Sequence, residues 1–178
     1  GTEFGIVMEP SAGYTARLAV EIEAMGFDAL LCPDTQCLSP EPYGQLSLAA
    51  ARTTRLFLGT GVTNPVTRDA SVTAGALATL QIESGGRARC GIGRGDSAMR
   101  VLGFPPSNLA TLSEAMAVIK GLAEGRSVSY NGADQQFRGQ SAAENAEGDR
   151  DGGQGRRLRQ HQDEDLQARS AQRTQYPD

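Results

Sequence analysis

The stretch Ser84–Ser97, SGGRARCGIGRGDS, decides the fold. A short apolar run at residues 88–92 enters a loop with glycines at 93 and 95, and an Asp-Ser pair follows that can start a helix. Glycines let backbone N–H groups approach a ligand closely, and a helix N-terminus favours anions. The loop therefore indicates either a phosphate-binding turn or a plain tight connection between a strand and a helix. Its alternating glycines do not fit the dinucleotide fingerprint G-x-G-x-x-G.

The sequence on both sides of this stretch alternates between strand and helix patterns. Short apolar runs typical of buried strands are each followed by a run with helical spacing. The predicted strands are 4–8, 29–32, 56–61 and 88–92, and the predicted helices are 14–25, 43–51, 71–82 and 112–122. Residues 128–134 predict a small hairpin around the type I′ turn pair Asn131-Gly132. Four β-then-α units predict an α/β fold with a parallel sheet, either doubly wound or a (β/α)-barrel.

The composition changes abruptly near Arg138 of the 178 residues. Residues 139–178 contain no Val, Ile, Phe, Met or Cys, so they cannot bury enough apolar surface to offset about 1–2 kcal/mol per residue of backbone ordering. We therefore predict a folded region at 1–138 and a low-complexity, polar, disordered tail at 139–178. The abruptness favours the hypothesis that the coding sequence lost its reading frame here. A naturally truncated chain with a linker-like tail is the alternative.

Charge and cysteine usage limit the classes of partner. The formal net charge is −4, and no apolar run is long enough to span a membrane, so we expect neither a nucleic-acid nor a membrane partner. No metal site is expected, because there is no CxxC pair and the single histidine, His161, lies in the tail. The three cysteines are expected to be buried free thiols in a reducing cytoplasm.

Three consecutive segments carry a family resemblance. They are residues 59–69 (GTGVTNPVTRD), 73–80 (TAGALATL) and 85–97 (GGRARCGIGRGDS). These segments resemble the bacterial-luciferase-like superfamily, and within it the F420-dependent oxidoreductase branch that includes methylenetetrahydromethanopterin reductase. The resemblance covers residues 4 to about 138 and does not extend into the tail. It implies a (β/α)8 TIM barrel, of which this chain holds the first four β/α units, with its site at the C-terminal ends of the strands.

The resemblance also implies a function and a set of site residues. It implies an enzyme that carries out hydride transfer or monooxygenation on a small-molecule substrate, with coenzyme F420, or alternatively FMN, as cofactor. The cofactor-binding positions that it implies are Gly61, Val62, Thr63, Asn64, Gly93, Arg94, Gly95 and Asp96. It further implies a non-prolyl cis peptide bond between residues 61 and 62. Asp34 matches an acidic position near the ring in the family, so the resemblance implies it as the candidate catalytic residue, with a helix cap or Asx-turn as its structural alternative. The barrel portion has no histidine, so proton delivery is left to Asp34, a cysteine, water or the substrate itself.

A barrel of only four strands has two free edges. A complete barrel takes about 250 residues, so the later strands that complete the phosphate site and substrate pocket are missing. Exposed parallel edges invite pairing with another copy, and we therefore expect a homodimer formed through the edges of strands one and four. The alternative function is a catalytically inactive half-barrel fragment that only self-associates.

Overall fold

The computed structural model describes residues 1–137, so the predicted polar tail lies outside the described residues. The strands are β1 (Gly5–Val7), β2 (Ala29–Cys32), β3 (Phe57–Thr63), β4 (Ala88–Ile92), β5 (Val128–Tyr130) and β6 (Ala133–Gln135). The helices are α1 (Thr15–Ala24), α2 (Pro42–Ala50), α3 (Ala70–Glu83), α4 (Asp96–Val101) and α5 (Leu109–Ala123). All four predicted strands, all four predicted long helices and the hairpin are present.

The order of the strands distinguishes between the two predicted architectures. Strands β1 to β4 form one sheet in the order β1-β2-β3-β4, and every neighbouring pair is parallel. A doubly wound sheet reverses its strand order at a switch point, whereas a barrel adds each strand beside the one before it. The described residues therefore form the first four strands of a (β/α)-barrel, as the resemblance implied.

The main hydrophobic core lies between the outer face of the sheet and helices α1 and α2. Alternate strand residues such as Ile6, Leu30 and Leu58 pack against buried side chains of α1 and α2, including Ala19 and Leu46. Because strand side chains alternate between faces, the residues between them lie on the other face, which becomes the interior of a closed barrel. A second apolar cluster joins α3 to α5. The two clusters fix the helices on one side of the sheet and leave the inner face open.

Helix caps explain where the predicted boundaries shift. Helix α3 begins at Ala70 because the Asp69 side chain accepts a hydrogen bond from the Ser71 backbone N–H at 2.8 Å. Helix α5 begins three residues before its predicted start because Asn108 caps it in the same way, through the Thr111 N–H. In the hairpin, Asn131 and Gly132 both have positive φ, as a type I′ turn requires.

The cysteines agree only in part with the prediction of buried thiols. All three are free, but only Cys32 is buried, and burial raises its pKa to about 12. Cys37 lies in an exposed loop and Cys90 lies on the edge strand β4, where no further strand covers it. Within residues 1–137, no helix is long and apolar enough to cross a membrane, and no three His, Cys, Asp or Glu side chains are grouped as a metal ion requires.

The carboxylate of Glu23 should make stability depend on pH. It accepts hydrogen bonds from the backbone N–H groups of Thr54, Arg55 and Leu56, at 2.7–3.0 Å for the closer oxygen. Partial burial acts to raise its pKa, but these three donors and the charge of Arg55 outweigh burial, so the pKa of Glu23 lies below its usual value. A lowered pKa stabilises the fold above the unfolded-state pKa of about 4.3, and this contribution is lost as pH falls through the folded-state pKa.

We therefore expect the free energy of unfolding to fall less steeply below about pH 5 in an E23Q variant than in the wild type. Denaturant unfolding at several pH values between neutral and acid measures this difference. E21Q is the matched control, since Glu21 lies exposed on the same helix and its carboxylate accepts no hydrogen bond from a described residue. Parallel pH profiles for the wild type and E23Q would contradict the assignment.

Candidate functional site

Polar residues cluster at the end of the sheet where the four parallel strands have their C-termini. Glu9 follows β1, Asp34 follows β2, Thr63 and Asn64 lie at the end of β3, and residues 93–96 follow β4. Because the four strands are parallel, these positions lie along one edge, where barrel enzymes carry their sites. Glu9 was not among the predicted site residues. Its place directly after a short apolar strand was the signal that could have identified it.

A bulge shapes β3 at this edge. The pairing of β3 with β4 shifts between Thr60 and Thr63, so that two residues of β3 lie opposite one residue of β4. The peptide bond between Gly61 and Val62 within this bulge is cis, as predicted. A Cβ at Gly61 would lie only 2.8 Å from the Cβ of Leu31, so the neighbouring strand requires glycine there.

The bulge presents an apolar surface. The Val62 side chain is 48% exposed. A Cβ added at Gly91 or at Gly93 would lie 3.2 Å from a methyl group of Val62, so the valine lies directly against these two glycines. We call Val62 together with Gly91 and Gly93 the floor. A flat apolar surface without projecting side chains on β4 suits the face of a planar ring.

Asp34 is almost completely buried beside the bulge of β3. Its Oδ2 accepts a hydrogen bond from the Thr63 hydroxyl at 2.7 Å, and its Oδ1 accepts one from the Gln36 amide at 3.0 Å. Its backbone N–H donates to the carbonyl of Val62 at 3.2 Å. Both carboxylate oxygens are therefore occupied, and the residue ties the loop after β2 to the bulge of β3. Asp34 therefore does not form the helix cap or Asx-turn that was its structural alternative, since both of its carboxylate oxygens accept hydrogen bonds from side chains.

The buried network extends to side chains that the sequence did not predict. The Arg68 Nε lies 3.8 Å from the Asp34 Oδ2, its guanidinium carbon lies 4.7 Å from the centre of the Tyr43 ring, and its Nη2 donates to Glu41 at 3.1 Å. The Tyr43 hydroxyl has no hydrogen-bond partner among the described residues, and burial raises the pKa of Tyr43 to about 12. Arg68 lies within the segment that carries the resemblance, which was the available signal for it.

Thr63 and Asn64 direct their polar groups inward. The Thr63 hydroxyl donates to Asp34, as described above. The Asn64 Oδ1 accepts from the backbone N–H groups of Val66 and Thr67, and its Nδ2 donates to the Thr67 hydroxyl. Both side chains are buried, so they hold the bulge and the following loop from within the protein.

The loop after β4 retains some free hydrogen-bonding groups. The Gly93 N–H already donates to the Thr63 carbonyl at 2.9 Å, whereas those of Arg94, Gly95 and Asp96 donate to no residue within 1–137. The Arg94 Nε donates to the Ser107 carbonyl at 2.7 Å, and its terminal nitrogens have no partner in the same range. Helix α4 has only six residues, so its dipole adds little, and the hydrogen-bonding capacity that this loop could offer an anion comes from these N–H groups and from Arg94.

Gly95 is required by its backbone conformation and by its neighbours. Its φ is +84°, in the left-handed region that other residues rarely adopt. A Cβ at this position would also lie 2.9 Å from the Cβ of Asn64. Of the eight predicted cofactor-binding positions, three lie in β3, Asn64 directly follows it, and residues 93–96 follow β4 at the same end of the sheet, with Arg94 and Asp96 exposed.

The sequential parallel sheet and a site at the strand C-termini define a protein of the (β/α)-barrel class. Residues 3–151 match the luciferase-like monooxygenase family. The chain belongs to this family, which confirms the resemblance seen in the sequence. The match continues past Arg138 to residue 151, so the expectation that the resemblance does not extend into the tail is wrong.

The chain matches only part of the length of each characterised relative. The chain is 37% identical over 136 residues to 5,10-methylenetetrahydromethanopterin reductase of Methanolobus tindarius, covering 72% of this chain and 40% of the relative. It is 35% identical over 123 residues to F420-dependent glucose-6-phosphate dehydrogenase of Beutenbergia cavernae, covering 62% of this chain and 37% of the relative. The solved structure of F420-dependent tetrahydromethanopterin reductase from Methanopyrus kandleri superposes with a TM-score of 0.69 at 28% identity, covering 81% of this chain and 48% of that one. The chain thus spans less than half the length of the relatives that it matches.

Proposed function

We propose that this chain binds coenzyme F420, or alternatively FMN, and takes part in hydride transfer or monooxygenation on a small-molecule substrate. The observation that carries the proposal is the floor, whose exposed valine is held at a bulge beside the buried hydrogen bond between Thr63 and Asp34. The two relatives described above as F420-dependent favour F420 over FMN. The bound cofactor would supply the hydride-transfer chemistry, and the protein would hold and orient it.

The residues at the C-terminal ends of the strands divide into two proposed binding regions. We assign the ring of the cofactor to the floor and to Gly61, with Thr63 and Asn64 supporting the bulge from beneath. We assign the phosphate-bearing chain to Arg94, Gly95 and Asp96, because their N–H groups and the Arg94 guanidinium have hydrogen-bonding capacity that no described residue uses. The carboxylate of Asp96 would repel an anion, so this residue contributes through its backbone.

Two carboxylates are candidates for moving protons. Asp34 is the predicted acid, but its burial and its bond to Thr63 mean that it would reach a bound ring only through the Thr63 hydroxyl. The Glu9 side chain is exposed at the same end of the sheet and makes no hydrogen bond or ion pair with any residue within 1–137, so its carboxylate is accessible to a bound substrate. We therefore propose Asp34 as the residue that positions the bulge and Glu9 as the more accessible carboxylate.

The second candidate function is an inactive half-barrel that self-associates. It is favoured by the free edges of β1 and β4 within the described residues, since unpaired parallel edges can pair with another chain. The three free cysteines support a reducing compartment such as the cytoplasm for either candidate.

Cofactor titration tests the first proposal. We expect wild-type protein to bind F420, with FMN tested separately, and to show a saturable change in fluorescence and a raised melting temperature. A V62E variant should lose about tenfold or more in affinity, because it places a charge where the ring would remove it from water. V72E is the matched control, since Val72 is 53% exposed on α3, and it should bind as the wild type does.

The two variants also test whether the protein is folded. Val62 and Val72 are similarly exposed, so neither substitution should lower the melting temperature of the free protein by much. If folded wild-type protein binds neither cofactor, the proposal is wrong and the inactive half-barrel is favoured. If V62E and V72E bind equally well, the floor is not the cofactor site.

A further inference from the structure

The two edges of the sheet are complementary. Strand β1 has β2 as its only neighbour and β4 has β3 as its only neighbour among the described residues, and all four strands run in the same direction. Rotation by 180° about the barrel axis keeps that direction, so it would place β4 of one copy beside β1 of another in a parallel pairing. We propose that a second copy of this chain closes the barrel through two such pairings. The inference deepens the proposed function, because the described residues supply only one wall of the candidate site.

The inner face of the sheet requires such a cover. Val7, Leu31, Gly59 and Arg89 are paired across the four strands and form one row on this face. The neighbouring row, which includes Ile6 and Leu30, packs against the helices. Val7 is 62% exposed and Arg89 is also exposed, so this row combines an uncovered apolar side chain with a charge. Burying Val7 would favour association, whereas burying Arg89 requires a partner for its charge.

Arg89 has no carboxylate within ion-pair distance among residues 1–137. Its guanidinium carbon lies 3.7 Å from the centre of the Phe57 ring, and its Nη1 donates to the carbonyl of Ala88 at 2.9 Å. These contacts hold the guanidinium over the inner face of the sheet. A partner surface that closes the barrel must therefore supply an acidic residue beside β4.

The geometry of a closed barrel identifies that residue. In an eight-stranded barrel, a row of paired residues followed once around the sheet returns to its first strand about eight residues from where it started, a displacement called the shear. A row followed across only four strands is therefore displaced by about four residues along the strand. The strands of a right-twisted barrel tilt so that the displacement runs towards the amino ends of successive strands. The row that starts at Val7 and reaches Arg89 therefore continues onto residue 3 of the second copy, which is Glu3. Residue 3 has the same parity as Val7, so both Glu3 and Arg89 face the interior.

Pairing with the second strand continues towards residue 3 in this structure. The Phe4 N–H donates to the Asp28 carboxylate at 2.8 Å, and the Asp28 N–H donates to the Phe4 carbonyl at 2.8 Å. The chain is thus already held beside β2 one residue before β1 begins. The twofold symmetry then gives two identical pairs, each between Glu3 of one copy and Arg89 of the other.

A charge exchange tests the proposal. We expect the wild-type chain to sediment at twice its mass of 18.7 kDa. E3R and R89E should each raise the dimer dissociation constant by about tenfold or more, because each places like charges at both pairs. The double variant E3R/R89E should restore dimerisation. E21R is the matched control, since Glu21 is exposed on helix α1 and lies on neither edge strand, and it should dimerise as the wild type does.

Analytical ultracentrifugation measures the mass of the protein without cofactor. Its result therefore tests dimerisation independently of the cofactor proposal. Circular dichroism of each variant identifies any that do not fold, and a V7K variant gives a second way to disrupt the interface. A folded wild-type monomer at its highest soluble concentration would overturn the proposal and would point to a separate chain as the partner of these edges. A dimer that E3R, R89E and V7K leave intact would also overturn it, because its interface would lie elsewhere.

Discussion

An Arg87→Ala variant is expected to lose about 3 kcal/mol of unfolding free energy and to melt about 10 °C below the wild type. Arg87 lies in the turn between α3 and β4, at the edge of the sheet opposite the candidate site. Its guanidinium donates to the carbonyls of Ser84, Leu56, Ala50 and Thr53 and to the Thr53 hydroxyl, at 2.6–3.2 Å. Removing it leaves these acceptors, several of them buried, without their donor.

The geometry of the guanidinium explains why arginine is needed. Its three nitrogens point in fixed directions and join two segments that are distant in sequence, the loop before β3 and the turn before β4. A lysine has the charge but only one nitrogen, so R87K should recover less than half of the loss. R52A is the matched control, because Arg52 is exposed and its side chain makes no hydrogen bond with a described residue, and it should change stability by less than about 0.5 kcal/mol.

Thermal and denaturant unfolding measure this prediction directly. Since the Arg87 contacts lie at the amino-terminal edge, R87A should leave cofactor affinity unchanged at temperatures where the variant is folded. An R87A melting temperature within about 2 °C of the wild type would contradict the structural role.

Periodicity and turn chemistry predict the elements of this fold because each is a local property of the chain. Strands β2 and β4 have the predicted limits, and the bulge and the cis peptide bond follow from a resemblance carried by adjacent residues. Arg87 and Arg68 were not predicted, since all their acceptors except the Ser84 carbonyl lie more than 25 residues away in sequence. A pattern of apolar residues shows which face of an element is buried, but it does not show which polar groups meet there.

The same limit applies to the predicted site residues. Thr63 and Asn64 look equally suited to bind a ring edge or to hold a loop, because their chemistry is the same in either case. Only the positions of Asp34 and Thr67 show that both side chains already have partners inside the protein. The exposure of Cys90 has a similar origin, because an apolar strand pattern does not show whether a further strand covers it.

An Asp34→Ala variant should lose about 2–4 kcal/mol of unfolding free energy and most of its cofactor affinity. The substitution leaves the buried Thr63 hydroxyl and the Gln36 amide without their acceptor, and it removes the carboxylate nearest to the buried Arg68 Nε. Because the Asp34 carboxylate holds Thr63, which directly follows Val62 in the bulge, the loss should reach the floor as well as the core. Unfolding by denaturant and F420 titration of the folded variant measure the two effects.

An Asp34→Asn variant separates positioning from proton transfer. Its amide oxygen can still accept from Thr63, and its amide N–H can donate to the Gln36 Oε1, which is buried and has no partner among the described residues, if the Gln36 amide turns over. Arg68 would keep its ion pair with Glu41. D34N should therefore cost less than about 1.5 kcal/mol and bind F420 nearly as tightly as the wild type, as a positioning role requires. A D34N protein that binds F420 normally but has lost turnover, with KM unchanged and kcat reduced, would instead assign proton transfer to Asp34. If D34N and D34A lose affinity equally, the negative charge itself holds the bulge, and the hydrogen bond to Thr63 is secondary.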